Sequence, residues 1–501
     1  GGTAAKGKDD EGSMVSRPRF LALSEFGPRS LIYHQGRMYR VVRAKLNVGS
    51  KDHISSNSQL ATVASRVCSQ CGYAHMGGED GTEPHHNLCE NCGALLTDLD
   101  WVRSLYRIET VETIPVERIS INDEDRQRQG FDLQTTYRFL PGPDGKIAQH
   151  KSLVTGLDGT AEDALAALTY APAAQIWRIN RGWRRRKNKD QLGFYINPIT
   201  GQWSKKDEPG ATEDSDATET DLLDKVPNQQ IVPFVEDHRN ILILAPAKPL
   251  ELEAMATLQA ALKRGIEMTF QIEESELVAE PLPKQDDRKA LLFYEAAEGG
   301  AGVLTRLATE PGAMAQVAAQ ALRLMHHNAP NGAWTVDGLE ALEQKTATGQ
   351  SICEAGCYQC LLSYFNQPDH DHINRRNAQA IEMLVALANA QVAAAPDEPA
   401  PTSQASGQTT AAAESSDDLF TQWQQALQAG GHREPDQYQV PALGGQLTVA
   451  GQYKAARTVV VLAPPLAEHV AALVDKGQTV LDMSNPIQWP HQFDSHSHVF
   501  R

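Results

Sequence analysis

The middle of the chain is marked by unbroken apolar runs rather than by alternation. "NILILAP" (240–246) and "ALLFYEA" (290–296) are short apolar stretches bounded by polar residues, the pattern of strands buried on both faces. "LELEAMATLQAALKRG" (250–265) reads as a helix, and "KALLFYEAAEGGAGVLTRLATEP" (289–311) as a strand, a glycine-rich turn and a helix. Near the C-terminus "LFTQWQQALQAG" is helical. "RTVVVLAPP", "LAEHVAALVDKG" and "TVLDMS" then follow as strand, helix and strand, a βαβ unit by pattern. Residues 19–66 and 101–205 carry strand-like segments such as "LIYHQGRMYRVVRAKL" and "TYRFLP".

One stretch does alternate. In "IWRINRGWRRRKNKDQ" (176–191), a strand would place Trp177, Ile179, Arg181 and Trp183 on one face and Arg178 and Arg184 on the other, with "LGFYINPITGQWS" as its hairpin partner. Seven Lys/Arg fall between Arg178 and Lys189, among them Arg184, Arg185, Arg186 and Lys187. Guanidinium groups pair with phosphates and indoles stack on unpaired bases, so this segment is the candidate nucleic-acid contact. A solvated basic strand with core tryptophans is the alternative.

Composition changes the picture little. The chain has 501 residues, 41% hydrophobic, enough for several domains. The net charge of -17 argues against a uniformly cationic nucleic-acid coat but leaves a local basic patch open. Much of the acid lies in 207–224, with eight Asp/Glu and no Lys or Arg, an acidic linker. A second linker, 392–418, is rich in Ala, Pro, Ser and Thr. No membrane-length apolar run and no signal-peptide pattern occur, so the reading is cytoplasmic with no membrane partner. No Met precedes Met14, which suggests a piece of a longer protein.

The seven cysteines form two groups. Cys68, Cys71, Cys89 and Cys92 make two CxxC pairs separated by seventeen residues, each followed by glycine. This is zinc-ribbon spacing: each knuckle presents two thiolates to one ion, and glycine permits the turn. His75, His85 and His86 lie between the pairs, but four sulfurs suffice. Cys353, Cys357 and Cys360 form the second group, three thiolates that leave a tetrahedral site incomplete. Gly299, Gly300 and Gly302 fit neither phosphate-loop fingerprint, although a glycine turn before a helix could cradle a phosphate.

"FYEAAEGGAGVLTRL" and, further on, "CEAGCYQCLLSYFNQPDHDHINRR" resemble domain of unknown function 1998. This cysteine-rich region lies C-terminal to the motor of certain superfamily 2 DNA helicases. Relatives include the zinc-binding domain of the mitomycin-repair helicase and components of anti-phage systems such as DISARM. "RFLALSEFGPRSLIYHQGRMYRVVRAKL" (19–46) resembles the region joining motor to domain, so the resemblance covers about residues 19–390. It implies that Cys353, Cys357 and Cys360 are zinc ligands. Ser351 stands where some relatives have another Cys, which leaves His326, His327, His370 or His372 for the fourth position; His370 is the expected ligand.

The expected fold is α/β and α+β, multidomain. It runs from an N-terminal tail (1–18) through a strand-rich connector (19–66), the zinc ribbon (67–100) inserted in it, and a β-rich region with the basic hairpin (101–205). The acidic linker (206–228), a mixed α/β cysteine-rich domain (229–391), the second linker (392–418) and a small C-terminal βαβ module (419–501) complete it. No G-x-x-x-x-G-K-[ST], G-x-S-x-G or H-E-x-x-H occurs, so no catalytic residue is expected. "DSHSHVF", with Asp494, His496 and His498, sketches a metal site or, more simply, a polar tail. The expected function is a zinc-binding accessory region of a DNA helicase or of a helicase-like repair or defence complex. It would hold two Zn2+, engage single-stranded or duplex DNA, and meet ATP only through a motor elsewhere on the polypeptide or on a partner subunit. A zinc-stabilised interaction scaffold, or a nuclease subunit using the C-terminal module, are the alternatives.

Overall fold

The structure is a computed structural model. It describes residues 14–46, 59–78, 81–117, 130–142, 145–204, 227–297, 300–342, 345–350, 352–395, 411–442, 447–462, 467–484, 489, 492–493 and 496–500. The acidic linker 207–224, most of the linker 392–418, Gly299, Ser351 and Asp494 lie outside the described residues. The chain divides into two units, Gly1–Pro396 and Asp397–Arg501.

The first unit opens with α1 (Arg19–Glu25) and a small sheet of β1 (Leu31–His34), β2 (Arg37–Ala44) and, from further along the chain, β6 (Val111–Pro115). Gln35 and Gly36, both at positive φ, close the tight β1–β2 hairpin. The large sheet contains β3 (Val63–Val67), β4 (Ala74–Met76), β5 (Trp101–Arg107), β7 (Phe131–Arg138), β8 (His150–Gly156) and β9 (Ala166–Trp183). To these are added β10 (Phe194–Ile196), β11 (Gln229–Pro246), β12 (Leu277–Lys284), β13 (Asp287–Glu295) and, after the separate short pair β14 (His327–Asn328) and β15 (Glu340–Ala341), β16 (Ala390–Ala394).

The two longest strands, β9 and β11, pair antiparallel from Ala166↔Pro246 to Ile179↔Phe234 and form the spine of the sheet. A bulge between Arg239 and Ile241 interrupts their ladder, and Asn240 fills the gap by accepting the Ala173 N–H on Oδ1 at 3.0 Å. Their outer neighbours change along their length. Val232–Phe234 of β11 carries β5 in parallel, whereas Ile241–Leu244 carries β13. β10 also pairs with β11 rather than with β9, which corrects the expected basic hairpin: after Trp183 the chain turns away and its apolar "FYI" completes the core around Ile231.

Alternation along these strands sorts the core into two layers. Leu242, Leu244, Leu291 and Phe293 point to the face covered by α2 (Leu252–Phe270), α3 (Val303–Thr309), α4 (Ala313–Leu324) and α5 (Ala378–Ala388), where Cys353 and Cys360 also lie. Ile241, Ile243, Leu292 and Tyr294 point to the other, against Tyr73, Cys68, Cys89 and Tyr137. Burial on both sides is why these strands read as unbroken apolar runs. α2 continues past Gly265, where the sequence pattern closes, to a C-cap at Gln271 with φ 54°. A Cβ at Gly265 would stand 2.6 Å from the Val317 carbonyl oxygen, so this glycine serves close packing of α2 on α4.

The second unit holds α6 (Ala411–Ala429) and a four-stranded sheet in chain order: β17 (Gln437–Ala442), β18 (Leu447–Tyr453), β19 (Thr458–Val461) and β20 (Thr479–Asp482). β19 and β20 are parallel and joined through α7 (Ala467–Asp475), the βαβ unit read from the sequence. Trp423, Tyr453, Val460, Phe493 and Phe500 form its core. No described helix is long and apolar enough to cross a membrane.

Candidate metal centres

Among the described residues, two groups of side chains bring four ligand atoms each within 4.8 Å of one another. The first is Cys68, Cys71, Cys89 and Cys92. β3 delivers Cys68, and each knuckle closes on a glycine at positive φ: Gly72 N–H donates to Cys68 O at 2.8 Å and Gly93 N–H to Cys89 O at 2.9 Å. Cys68 Sγ lies 3.6 Å from Cys92 Sγ, and Cys71 Sγ 3.6 Å from Cys89 Sγ. A tetrahedron with Zn–S bonds of about 2.3 Å has edges of about 3.8 Å, so the sulfurs fit that ion. Gln70 N–H and the Asn91 amide donate toward Cys68 and Cys71 sulfur at 3.4 and 3.6 Å.

Without a cation, four thiols this close cannot all ionise. The thiol hydrogen bond from Cys71 holds Cys68 far below its ordinary range, while donating to Cys68 holds Cys71 far above it and Cys89 at about 12. A divalent cation removes that conflict. His75 is not a ligand. Its ring is buried, Nδ1 donates to Arg66 O at 3.2 Å, and Nε2 accepts the Glu90 N–H at 3.1 Å, so it supports the second knuckle from behind. His86 pairs with Glu90 at 3.3 Å, and His85 is exposed.

The second group is Cys353, Cys357, Cys360 and His326. Sulfur separations are 3.7 Å for Cys353–Cys360 and 3.5 Å for Cys357–Cys360, and His326 Nε2 lies 3.6 Å from Cys357 Sγ. His326 stands just past the end of α4 with φ 64°, a left-handed residue that turns the chain and aims the ring at the cysteines. Burial and then the Arg375 charge hold its pKa below the usual range, keeping the neutral imidazole that metals bind. Burial pushes Cys353 up and Cys360 up to about 12; burial is also the largest influence on Cys357 and opposes its ionisation, but the hydrogen bonds from Cys360, the Gln359 N–H and Cys353 together outweigh it and lower that thiol. Arg375 reaches the Cys353 carbonyl through Nε at 3.0 Å and Nη2 at 2.6 Å, and Arg264 the Cys360 carbonyl at 3.2 Å.

The structure thus places His326, not His370, with the three cysteines. His370 Nε2 lies 3.0 Å from both Ser363 O and Asn366 Oδ1, so the ring is spent on bracing the loop after the knuckle. His372 is exposed. The glycine turn is likewise no phosphate cradle. Buried Glu295 already fills it, with Oε1 accepting the Val303 N–H at 3.1 Å and Oε2 accepting the Asn240 amide at 3.2 Å.

The basic segment is largely occupied by the fold. Trp177 is buried and its Nε1 donates to Glu236 at 2.9 Å, while Trp183 stacks on Phe131 with centroids 4.6 Å apart. The Trp177 indole is thereby held in the interior, and Trp183 is half-buried with one face against Phe131. Arg178 pairs with Glu280 at 3.3 Å on the opposite face, and Arg186 with Asp132 at 2.8 Å. Arg181 is half-buried, and Arg184 reaches Pro368 O at 3.4 Å; Arg185 and Lys187 are exposed.

Fold and site together define a mixed α/β region with two four-ligand groups able to hold zinc. Residues 258–361, from within α2 to just past Cys360, match the family model of the MrfA Zn-binding domain, and all four residues of the second group fall inside the match. A crystal structure of the DUF1998 helicase MrfA bound to DNA is similar at 10% identity and a TM-score of 0.27, over 74% of this chain and 31% of that one. The chain therefore spans about a third of the length of that helicase. No curated protein matches.

Proposed function

We propose that this chain is the zinc-stabilised accessory region of a DNA helicase or of a helicase-like defence or repair complex. It engages nucleic acid beside an ATPase motor carried on the same polypeptide or on a partner subunit. The observation that carries this reading is the match of 258–361 to a helicase's zinc-binding domain, with a Cys3His set inside the matched residues. Each cysteine group holds one Zn2+, which ties distant chain segments together and does no chemistry on substrate. ATP acts only through the motor.

The test is binding of a labelled single strand and a duplex to the zinc-loaded chain across a salt series, together with the effect of the chain on a cognate motor's DNA-stimulated ATPase. Salt-sensitive binding and a changed ATPase support the reading; the absence of both overturns it. The burial of Trp177 and the stacking of half-buried Trp183 on Phe131 favour a second reading, an interaction scaffold, which predicts salt-insensitive partner binding and no affinity for nucleic acid.

A further inference from the structure

The loop after the second cysteine group reverses the usual sorting of a surface segment. Its polar side chains are turned inward and satisfied: Asn366 Oδ1 accepts the Ser363 N–H at 2.8 Å, Ser363 Oγ accepts the Phe365 N–H at 3.2 Å, and the Asn366 amide donates to Leu361 O at 2.7 Å. Its rings face outward. Tyr364 is 81% exposed, Tyr358 66% and Phe365 61%. Tyr364 and Phe365 stand edge to face with centroids 6.1 Å apart, and Tyr358 stands edge-on to His370 at 5.9 Å. Three exposed aromatic rings, Tyr364 and Phe365 on this braced loop and Tyr358 on the knuckle between Cys357 and Cys360, mark an interaction surface.

Charge identifies the partner. The Arg184 contact with Pro368 O at 3.4 Å sets the basic turn beside the segment that follows Phe365, and Arg185 and Lys187 are exposed on that turn. Glu354 and Asp371 are the exposed acids of the loop region. An apolar protein partner needs only the rings, whereas a single strand needs rings for its bases and cations for its phosphates.

We propose that Tyr358, Tyr364 and Phe365 are a stacking platform for the unpaired bases of a single-stranded nucleic acid whose phosphates lie on Arg185 and Lys187. This rests on the nucleic-acid reading above and adds its site. The basic segment's own tryptophans are thereby replaced as the stacking groups by rings from the cysteine-rich domain.

The experiment uses the full zinc-loaded chain and a fluorescein-labelled single strand of about 20 nucleotides, with a second strand carrying 2-aminopurine to report stacking. Tyr364→Ala with Phe365→Ala is expected to weaken binding about tenfold or more, to abolish 2-aminopurine quenching and to leave the salt slope unchanged. Zinc content should stay that of wild type, because the rings are exposed. Tyr364→Leu with Phe365→Leu keeps apolar area and should still lose the quenching. Wild-type binding by the Ala variant overturns the platform and leaves the nucleic-acid reading standing. Wild-type affinity and quenching in the Leu variant overturn stacking in favour of a general apolar contact. A wild-type chain that binds no strand at low salt overturns both readings.

Discussion

Arg288 Nη2 lies 2.6 Å from Asp369 Oδ1, and both side chains are buried, at 1% and 10% exposure. Arg288 also donates through Nη1 to Gln259 Oε1 at 3.0 Å and through Nε to Gln285 O at 3.0 Å. One residue of β13 thereby ties α2 to the loop that follows the second cysteine knuckle. Its sequence neighbour Lys289 points the opposite way and donates to Ser69 O at 3.0 Å, in the first knuckle of the ribbon. The two centres are thus anchored on opposite faces of one strand.

Breaking the Arg288–Asp369 pair from one side leaves a charge buried without its partner. Arg288→Met or Asp369→Ala is expected to cost about 3–5 kcal/mol, and the double variant clearly less than the sum. Urea unfolding of the three variants measures this. Additive losses would mean that the pair does not act as a unit.

Two zinc ions per chain are expected, one from each group. Cys71→Ser or Cys357→Ser should remove one equivalent and lower the unfolding temperature, because zinc binding is coupled to folding. His326→Ala should behave like Cys357→Ser, and His370→Ala should keep both ions. Elemental analysis decides it: one equivalent lost in His370→Ala but not in His326→Ala would reverse the ligand assignment.

His75 gives the ribbon a sensitivity to acid. Burial lowers its pKa, so the folded state binds the proton less readily than the unfolded chain, with its pKa of about 6.5. The stability it contributes is present above that unfolded value and declines as pH falls below it. Protonated Nε2 can no longer accept the Glu90 N–H. The Glu90 amide should therefore keep its bonded chemical shift at pH 7 and lose it only in acid, below the ordinary histidine range, in an NMR titration of zinc-loaded protein. A transition at or above pH 6.5 would contradict the burial argument.

The basic turn divides by partner. Arg185→Ala with Lys187→Ala should lower the log–log salt slope for single-strand binding by about 1.4, two phosphates at about 0.7 each, without changing stability. Arg186→Ala breaks the pair with Asp132, and Trp183→Ala the stack on Phe131, so these should lower stability, by up to about 3 kcal/mol for the tryptophan. Equal salt slopes for wild type and the Arg185/Lys187 variant would leave this turn no role in phosphate contact.

What the sequence by itself determined are the features set by nearby residues. The knuckles of the ribbon were legible because two cysteines and a glycine define the turn locally, whatever surrounds it. "NILILAP" and "ALLFYEA" were legible because a strand covered on both faces has no polar positions to display. The βαβ order of the last module was legible from period and glycine punctuation. Only the tertiary structure decided the rest. His326 becomes the partner of the three cysteines because α4 ends in a left-handed turn beside the knuckle, and nothing in the spacing of 326 and 357 encodes that approach. The alternation around Trp177 and Arg178 was read correctly as two faces. Whether the indoles meet a ligand or the core stayed open in the sequence, because that depends on the ribbon strands, β12 and β11, which close over both faces and take up the Trp177 indole and the Arg178 guanidinium. Local pattern sets which way a side chain points along its strand; what stands opposite it is fixed by segments brought from a hundred residues away, since burial depends on long-range packing.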